Sequence, residues 1–214
     1  FYICCLIFSL DYLHTNNVMH RDVKPENICL DENGYARLTD FGIARMYRKN
    51  NAKETSGTPG YMAPEVMIGK NHTCVVDYFA VGAIAYEFML GKRPYYGRSR
   101  GDIKQMIIDT QVKIMKDQIP KGWSIESADF INKLLQRKPA NRLGLRGAIE
   151  VKEHPWIKLC DWNKIYEKKL KAPFIPPIQN NFDEKFCSYQ KKLGQNTKMR
   201  YEEIENSTNY SRTF

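Results

Sequence analysis

The stretch His20-Arg21-Asp22-Val23-Lys24-Pro25-Glu26-Asn27 gathers carboxylates, an ammonium and an amide carbonyl within a few residues. Groups of these types can take up a proton, neutralise an anion and offer oxygen ligands to a hard cation. Beyond it stands Asp40-Phe41-Gly42, and Ala63-Pro64-Glu65 closes a polar, Gly-containing segment further on. Each triplet alone reads as a surface charge or a turn as readily as a site. Their order and spacing lift them above that reading.

The elements that must position these groups are legible around them. Ile3, Leu6, Ile7, Leu10 and Leu13 recur at helical spacing and predict a buried helix over 1–16, stopped at Asn16-Asn17, that leads straight into the first motif. Ile28-Cys29-Leu30 and Ala36-Arg37-Leu38 flank Asp31-Glu32-Asn33-Gly34, whose Asn-Gly pair marks a hairpin. Such a hairpin would hold the Asp22 and Asp40 loops side by side. Residues 43–60 lack periodicity and read as a surface loop. From Val75 to Leu90 the chain is apolar on nearly every side, which predicts a buried helix. Asp77 falls near its start, where a carboxylate accepts backbone hydrogen bonds and is favoured by the helix dipole. Asp102 to Lys113 and Ser127 to Gln136 are amphipathic helix candidates, and Ala148 to Glu153 is the last, ended by His154-Pro155-Trp156. Pro173-Phe174-Ile175-Pro176-Pro177 cannot continue a helix, so 159–214 reads as a tail rather than a second domain. There is no internal repeat.

With Gly57-Thr58-Pro59-Gly60-Tyr61-Met62-Ala63-Pro64-Glu65 completing the set, the chain resembles the C-terminal lobe of a eukaryotic-type Ser/Thr protein kinase. The resemblance covers 1–158 and implies a mainly α fold with a short β-hairpin, a kinase C-lobe lacking the N-lobe. It implies that Asp22 orients the substrate hydroxyl and accepts its proton, that Lys24 meets the transferring phosphoryl group, and that Asn27 and Asp40 supply oxygen ligands to Mg²⁺ beside ATP. Cys29, Ile84 and Phe88 would build an apolar column under the adenine ring. Gly42 would let the backbone turn, Phe41 would pack under the neighbouring helix, and His20 would have a structural role. Glu65 should pair with Arg142, and Asp77 should brace the backbone near Arg21.

Substrate class enters through the same resemblance. Lys24-Pro25-Glu26 with Thr58 is similar to the Ser/Thr-specific pattern, and Thr58, Pro59 and Met62 carry over as substrate-binding positions. Glu26 and Glu87 fall where basophilic kinases of the AGC group place acids that pair with Arg residues upstream of the phosphosite, which implies protein substrates with Ser or Thr near basic residues. Arg21 beside Asp22 marks kinases whose activation loop is ordered by a phosphate. Aligned on Gly57-Thr58, the AGC phosphosite falls at Glu54, one negative charge in place of nearly two, with Thr55 and Ser56 as neighbouring alternatives. Pro173-Phe174-Ile175-Pro176, Asn181-Phe182-Asp183 and Phe186 are similar to the AGC tail extension, and Ser207 to Phe214 is a degenerate form of its terminal hydrophobic motif.

Composition sets the outer bounds. With 214 residues, 43% hydrophobic and 27% charged, the chain is globular and can bury a core. A formal charge of +9 would permit a nucleic-acid or anionic-lipid partner. Yet the excess sits in scattered lysines and in Lys164, Lys168, Lys169, Lys171, Lys191 and Lys192, and no basic-aromatic pattern accompanies it, so no nucleic-acid partner is expected. The six cysteines show neither metal-ligand spacing nor a disulfide framework, which fits a reducing compartment, cytoplasmic or nuclear. The apolar run from Phe1 stops at Asp11, short of the roughly 20 residues a membrane span needs. A monomer is expected. Nothing matches a Gly-rich phosphate-covering loop or a Val-Ala-Ile-Lys strand. Either the chain is a piece of a complete kinase, as its Phe1 start suggests, or it is a truncated docking or decoy module without catalysis. The intact Asp22, Lys24, Asn27 and Asp40 favour the first, and the 214 residues alone are expected to be inactive.

Overall fold

The structure is a computed structural model that describes residues 1–177. Asn181-Phe182-Asp183, Phe186, Cys187, Lys191, Lys192 and Ser207 to Phe214 lie outside the described residues.

Helix α1 (Tyr2–Thr15) buries Ile3, Leu6, Ile7 and Leu10 on the predicted face. It ends at Asn16, and Asn17 takes φ +56°, a left-handed conformation that Asn tolerates better than most residues. The hairpin follows as expected. β2 (Ile28–Leu30) pairs antiparallel with β3 (Ala36–Leu38) in the register Ile28↔Leu38 and Leu30↔Ala36. At its base the Thr39 N–H and Oγ1 both donate to the Asn27 carbonyl, at 2.9 and 3.0 Å, so Asn27 and Asp40 are tied at one end of the ladder. A second ladder joins β1 (Val18–Met19) to β4 (Arg45–Met46) inside the stretch read as loop. Two-residue strands are too short to show alternation, and both β4 side chains are exposed, so only backbone hydrogen bonds record it.

Helix α2 (Pro64–Met67) is short and buried, and α3 (Val75–Leu90) runs through the middle of the core. Gly82 lets α3 approach α5 (Ile125–Leu134): a Cβ there would lie 2.7 Å from the Leu134 Cβ. Gly91, at φ +68°, ends α3 in the left-handed cap that helices favour. α4 (Arg100–Asp109) starts earlier than its amphipathic pattern, because Ser99 and Asp102 form a capping box, and it ends at Thr110, whose backbone is extended. Ser124 and Ser127 do the same for α5. α6 (Ala148–Lys152) falls where expected, and α7 (Trp162–Tyr166), capped by Asp161, lies in what sequence read as tail. Among the described residues no helix is long and apolar enough to cross a membrane.

Two fastenings close the unit, which runs from Phe1 to Ile175. The first is the expected pair. Arg142 is 1% exposed, and all five of its N–H groups are taken: two by Glu65 at 2.6 and 2.9 Å, and the others by the carbonyls of Gln136, Val75 and Arg137. Its guanidinium lies 5.0 Å over the Phe79 ring. The second is a strap over the hairpin. The Tyr35 hydroxyl donates to the Leu170 carbonyl at 2.7 Å and accepts the Leu170 N–H at 2.9 Å, and Lys168 meets Asp31 at 2.7 Å. Gly34, at φ +77°, has no room for a Cβ, which would collide with the Phe174 carbonyl oxygen and Ala172.

Removing Glu65 would leave a buried guanidinium uncompensated, so Glu65→Ala should cost about 3–5 kcal/mol in denaturant unfolding; a loss under 1 kcal/mol would contradict that account. Asp31 supplies a pH dependence. Burial pushes its carboxyl up, but hydrogen bonds from Lys168 and the Tyr35 and Asn33 amides prevail and bring it to about 2. A depressed folded-state value means that its stabilisation is complete above the ordinary carboxylate range and is lost as pH falls toward 2. Asp31→Asn should therefore flatten the acid limb of a melting-temperature profile below about pH 4.

Candidate active site

The site rests on Asp77. This α3 carboxylate is 1% exposed and accepts the backbone N–H groups of His20 and Arg21, at 2.9 and 2.8 Å, with His14 Nε2 at 2.8 Å. The brace near Arg21 is therefore present, and the carboxylate serves a distant loop rather than the first turn of its own helix. The need is conformational. Arg21 sits at φ +73°, a left-handed value that costs a non-Gly residue on the order of 1–3 kcal/mol unless its surroundings enforce it. His20 is fully buried; its Nε2 donates to the Thr39 carbonyl at 3.0 Å and its Nδ1 accepts the Asp22 N–H at 3.3 Å. One imidazole thus spans the loops that carry Asp22 and Asp40.

Asp22 is held by four donors. Oδ1 accepts the Thr58 N–H at 3.0 Å and the Thr58 hydroxyl at 2.6 Å, while Oδ2 accepts Lys24 Nζ at 2.7 Å and Asn27 Nδ2 at 3.0 Å. Burial pulls its pKa up, but the Lys24 and Thr58 hydrogen bonds and the Lys24 charge outweigh it, so the carboxyl lies below its ordinary value. Lys24 Nζ also donates to Thr58 Oγ1 at 2.8 Å, which locks carboxylate, ammonium and hydroxyl into one triangle.

The residues fit a hard cation by donor type. Asn27 donates its amide hydrogens to the Asp22 carbonyl and carboxylate, at 2.9 and 3.0 Å, which leaves Oδ1 as an acceptor without a partner among the described residues. Asp40 is exposed, with one oxygen receiving the Gly42 N–H at 3.1 Å. Among the described residues no cluster of three or more His, Cys, Asp or Glu side chains could hold a metal. Two protein oxygens suit Mg²⁺, which keeps waters and phosphate oxygens for its remaining positions.

Two expectations need correction. Phe41 does not pack under a helix: it is 51% exposed, with its ring edge-on to His20 at 5.2 Å. Its partner surface is not supplied by the described residues. Gly42 does not make the turn, since Asp40 itself takes φ +60°; the missing Cβ instead lets the Gly42 amide approach Asp40 closely. Of the expected apolar column, Ile84 is fully buried, whereas Phe88 is 46% exposed and Cys29 is exposed.

The segment before Thr58 is anchored at two further points. Arg21 Nη1 meets Glu54 Oε2 at 2.6 Å and Nη2 donates to the Glu54 carbonyl at 3.2 Å, while Thr55 and Ser56 are exposed. The second anchor had no sequence signal beyond turn-forming Asn residues. Asn51, 1% exposed, exchanges hydrogen bonds with the His72 backbone at 2.7 and 2.9 Å, and Asn71 Oδ1 accepts the Asn51 and Ala52 amides at 2.9 Å each. Also unforeseen is Tyr61, whose hydroxyl donates to Glu87 Oε2 at 2.6 Å. Glu26 is exposed nearby in sequence to Asp22, Pro59 is partly buried and Met62 buried.

The protein kinase domain family matches residues 1–157. A probable serine/threonine-protein kinase of Dictyostelium discoideum is 41% identical over 192 residues, covering 86% of this chain and 41% of the relative. Serine/threonine-protein kinase gad8 of Schizosaccharomyces pombe is 36% identical over 195 residues, covering 88% and 33%. Ribosomal protein S6 kinase alpha-6 of Mus musculus is 36% identical over 189 residues, covering 87% and 24%. The chain thus spans well under half the length of these relatives. On both its motif geometry and its matched length, the chain belongs to the protein kinase domain family, among the eukaryotic Ser/Thr kinases of AGC-like type.

Proposed function

We propose that these residues form the C-terminal lobe of an ATP-dependent Ser/Thr protein kinase, with basophilic protein substrates. The observation that carries the reading is the Asp22 carboxylate, held below its ordinary pKa by Lys24 and Thr58 and bonded to Asn27. An ionised carboxylate is what orients a hydroxyl and takes its proton. A substrate Ser or Thr would displace one of the four present donors, and the Thr58 hydroxyl occupies the kind of position such a hydroxyl needs. Lys24, 2.7 Å from Asp22, would then face the incoming phosphoryl group. Bound Mg²⁺, held through Asn27 and Asp40, would neutralise charge on the phosphate oxygens. Exposed Phe88 and Cys29 would offer apolar surface to an adenine ring, with buried Ile84, one turn before Phe88 on α3, as core. Because no Gly-rich loop occurs in the 214 residues, turnover calls on a nucleotide-covering lobe, and exposed Tyr12 and Phe41 offer that lobe an apolar seat. The same exposed face is what favours the second reading, a docking or decoy module.

Asp22→Asn in a complete kinase chain should lower kcat by about 10²–10⁴ while leaving nucleotide binding in place. The 214-residue chain alone should turn over no peptide; robust turnover by it would refute the need for a second lobe.

Glu54 in this reading does the work of an activation-loop phosphate. Its bond to the buried Arg21 side chain is charge-assisted and permanent. Phosphatase treatment should leave activity unchanged, whereas Glu54→Ala should reduce kcat/KM roughly tenfold or more and speed hydrogen exchange over residues 51–58. A stoichiometric phosphate at Thr55 that activity requires would sink the assignment.

A further inference from the structure

The acid pair at Glu26 and Glu87 has a cation beside it that neither sequence motif nor fold assignment accounts for. Arg93 follows α3 by three residues, just past the Gly91 cap, and its guanidinium stands 5.5 Å over the Tyr61 ring. The Tyr61 hydroxyl is the group bonded to Glu87. The Arg93 stem lies along the substrate-facing turn: a Cβ on Gly60 would sit 3.8 Å from Arg93 Cδ. Burial first, then the Glu87 hydrogen bond and charge, push the Tyr61 phenol far up; Arg93 acts on it in the opposite sense and Glu26 in the same sense as Glu87. Three charges therefore converge on one tyrosine. Among the described residues Glu26, Glu87 and Arg93 make no ion pair with any side chain, so all three remain available to a peptide.

We propose that Arg93 is a specificity-determining residue, a resident cation that competes with a substrate's basic side chain for the field of Glu26 and Glu87. This rests on the basophilic reading above and refines it. An incoming Arg meets two acids but also a like charge stacked on the tyrosine that Glu87 holds, so the preference for Arg over a neutral residue is shallower than two acids alone would give. Peptides with neutral residues before the phosphoacceptor are correspondingly better tolerated.

The test uses a complete kinase chain that carries these residues, unaltered and as Arg93→Ala and Arg93→Gln, with peptides carrying Arg or Ala at each position before a single Ser. Phosphorylation gives kcat/KM, and fluorescence anisotropy gives peptide affinity without turnover. The Arg-to-Ala preference is expected to rise roughly threefold to tenfold in both variants, through KM and affinity rather than kcat, and the rise should vanish when Glu87→Gln is added. An unchanged preference in variants that melt with the unaltered protein overturns the inference and leaves the acid pair's role standing. No preference for Arg in any of the three proteins overturns the inference and the basophilic reading together, with kinase activity itself still read from the Ser peptides. A rise seen in anisotropy without any phosphorylation supports the role of Arg93 and removes only the catalytic reading.

Discussion

The buried carboxylate of Asp77 is the constraint on which the functional geometry depends. It lies on the buried helix α3 and accepts two successive amides of the loop that carries Asp22, at His20 and Arg21. Those amides point where they do because Arg21 adopts a left-handed backbone that would relax if the acceptor were lost. With the backbone fixed, the loop's side chains follow in separate directions. His20 turns inward to the Thr39 carbonyl, Arg21 goes to Glu54, and Asp22 turns to Thr58 and Lys24. One interior acid thus sets three exits for three consecutive residues.

Around this point the fold is fastened by buried polar contacts. Arg142 and Glu65 join the end of the activation segment to the α3–α5 core through a fully satisfied guanidinium, so the Thr58 side of the site cannot drift from the Asp22 side. The Asn51 clasp and the Arg21–Glu54 pair hold the front of the same segment. Such fastening matters for chemistry that depends on placement and charge rather than on covalent participation by the protein. The residues proposed to face nucleotide and metal, by contrast, include Asp40, Phe88 and Cys29, all of them exposed.

Sequence carried the parts of this arrangement that have either periodicity or a motif. α1 and α3 announced themselves by apolar spacing, the hairpin by Asn33-Gly34, and the Glu65–Arg142, Asp77–Arg21 and Glu54–Arg21 contacts by resemblance. What stayed hidden was local in neither sense. The β1–β4 ladder is backbone pairing of two residues with two. The Asn51–His72 clasp joins two loops whose Asn residues look like ordinary turn formers. Phe41 and Gly42 were misread because a motif gives residue identity without φ or the partner surface: the turn belongs to Asp40, and the ring is left open. α7 and the strap were missed because a five-residue helix and a proline-punctuated segment carry too little pattern to tell packing from draping.

The strap over the hairpin also has a meaning in time. Tyr35 and Leu170 are 135 residues apart, and Asp31 and Lys168 are 137 apart, so the hairpin that spaces Asn27 from Asp40 is made long before its outer partners exist. At about 5–20 residues per second, a ribosome leaves that interval open for on the order of ten seconds. During it Gly34 presents an uncovered backbone and Tyr35 an unpaired hydroxyl, although both are buried in the finished lobe. A nascent chain that stalls before Leu170 therefore carries the hairpin between Asn27 and Asp40 with its outer strap still missing.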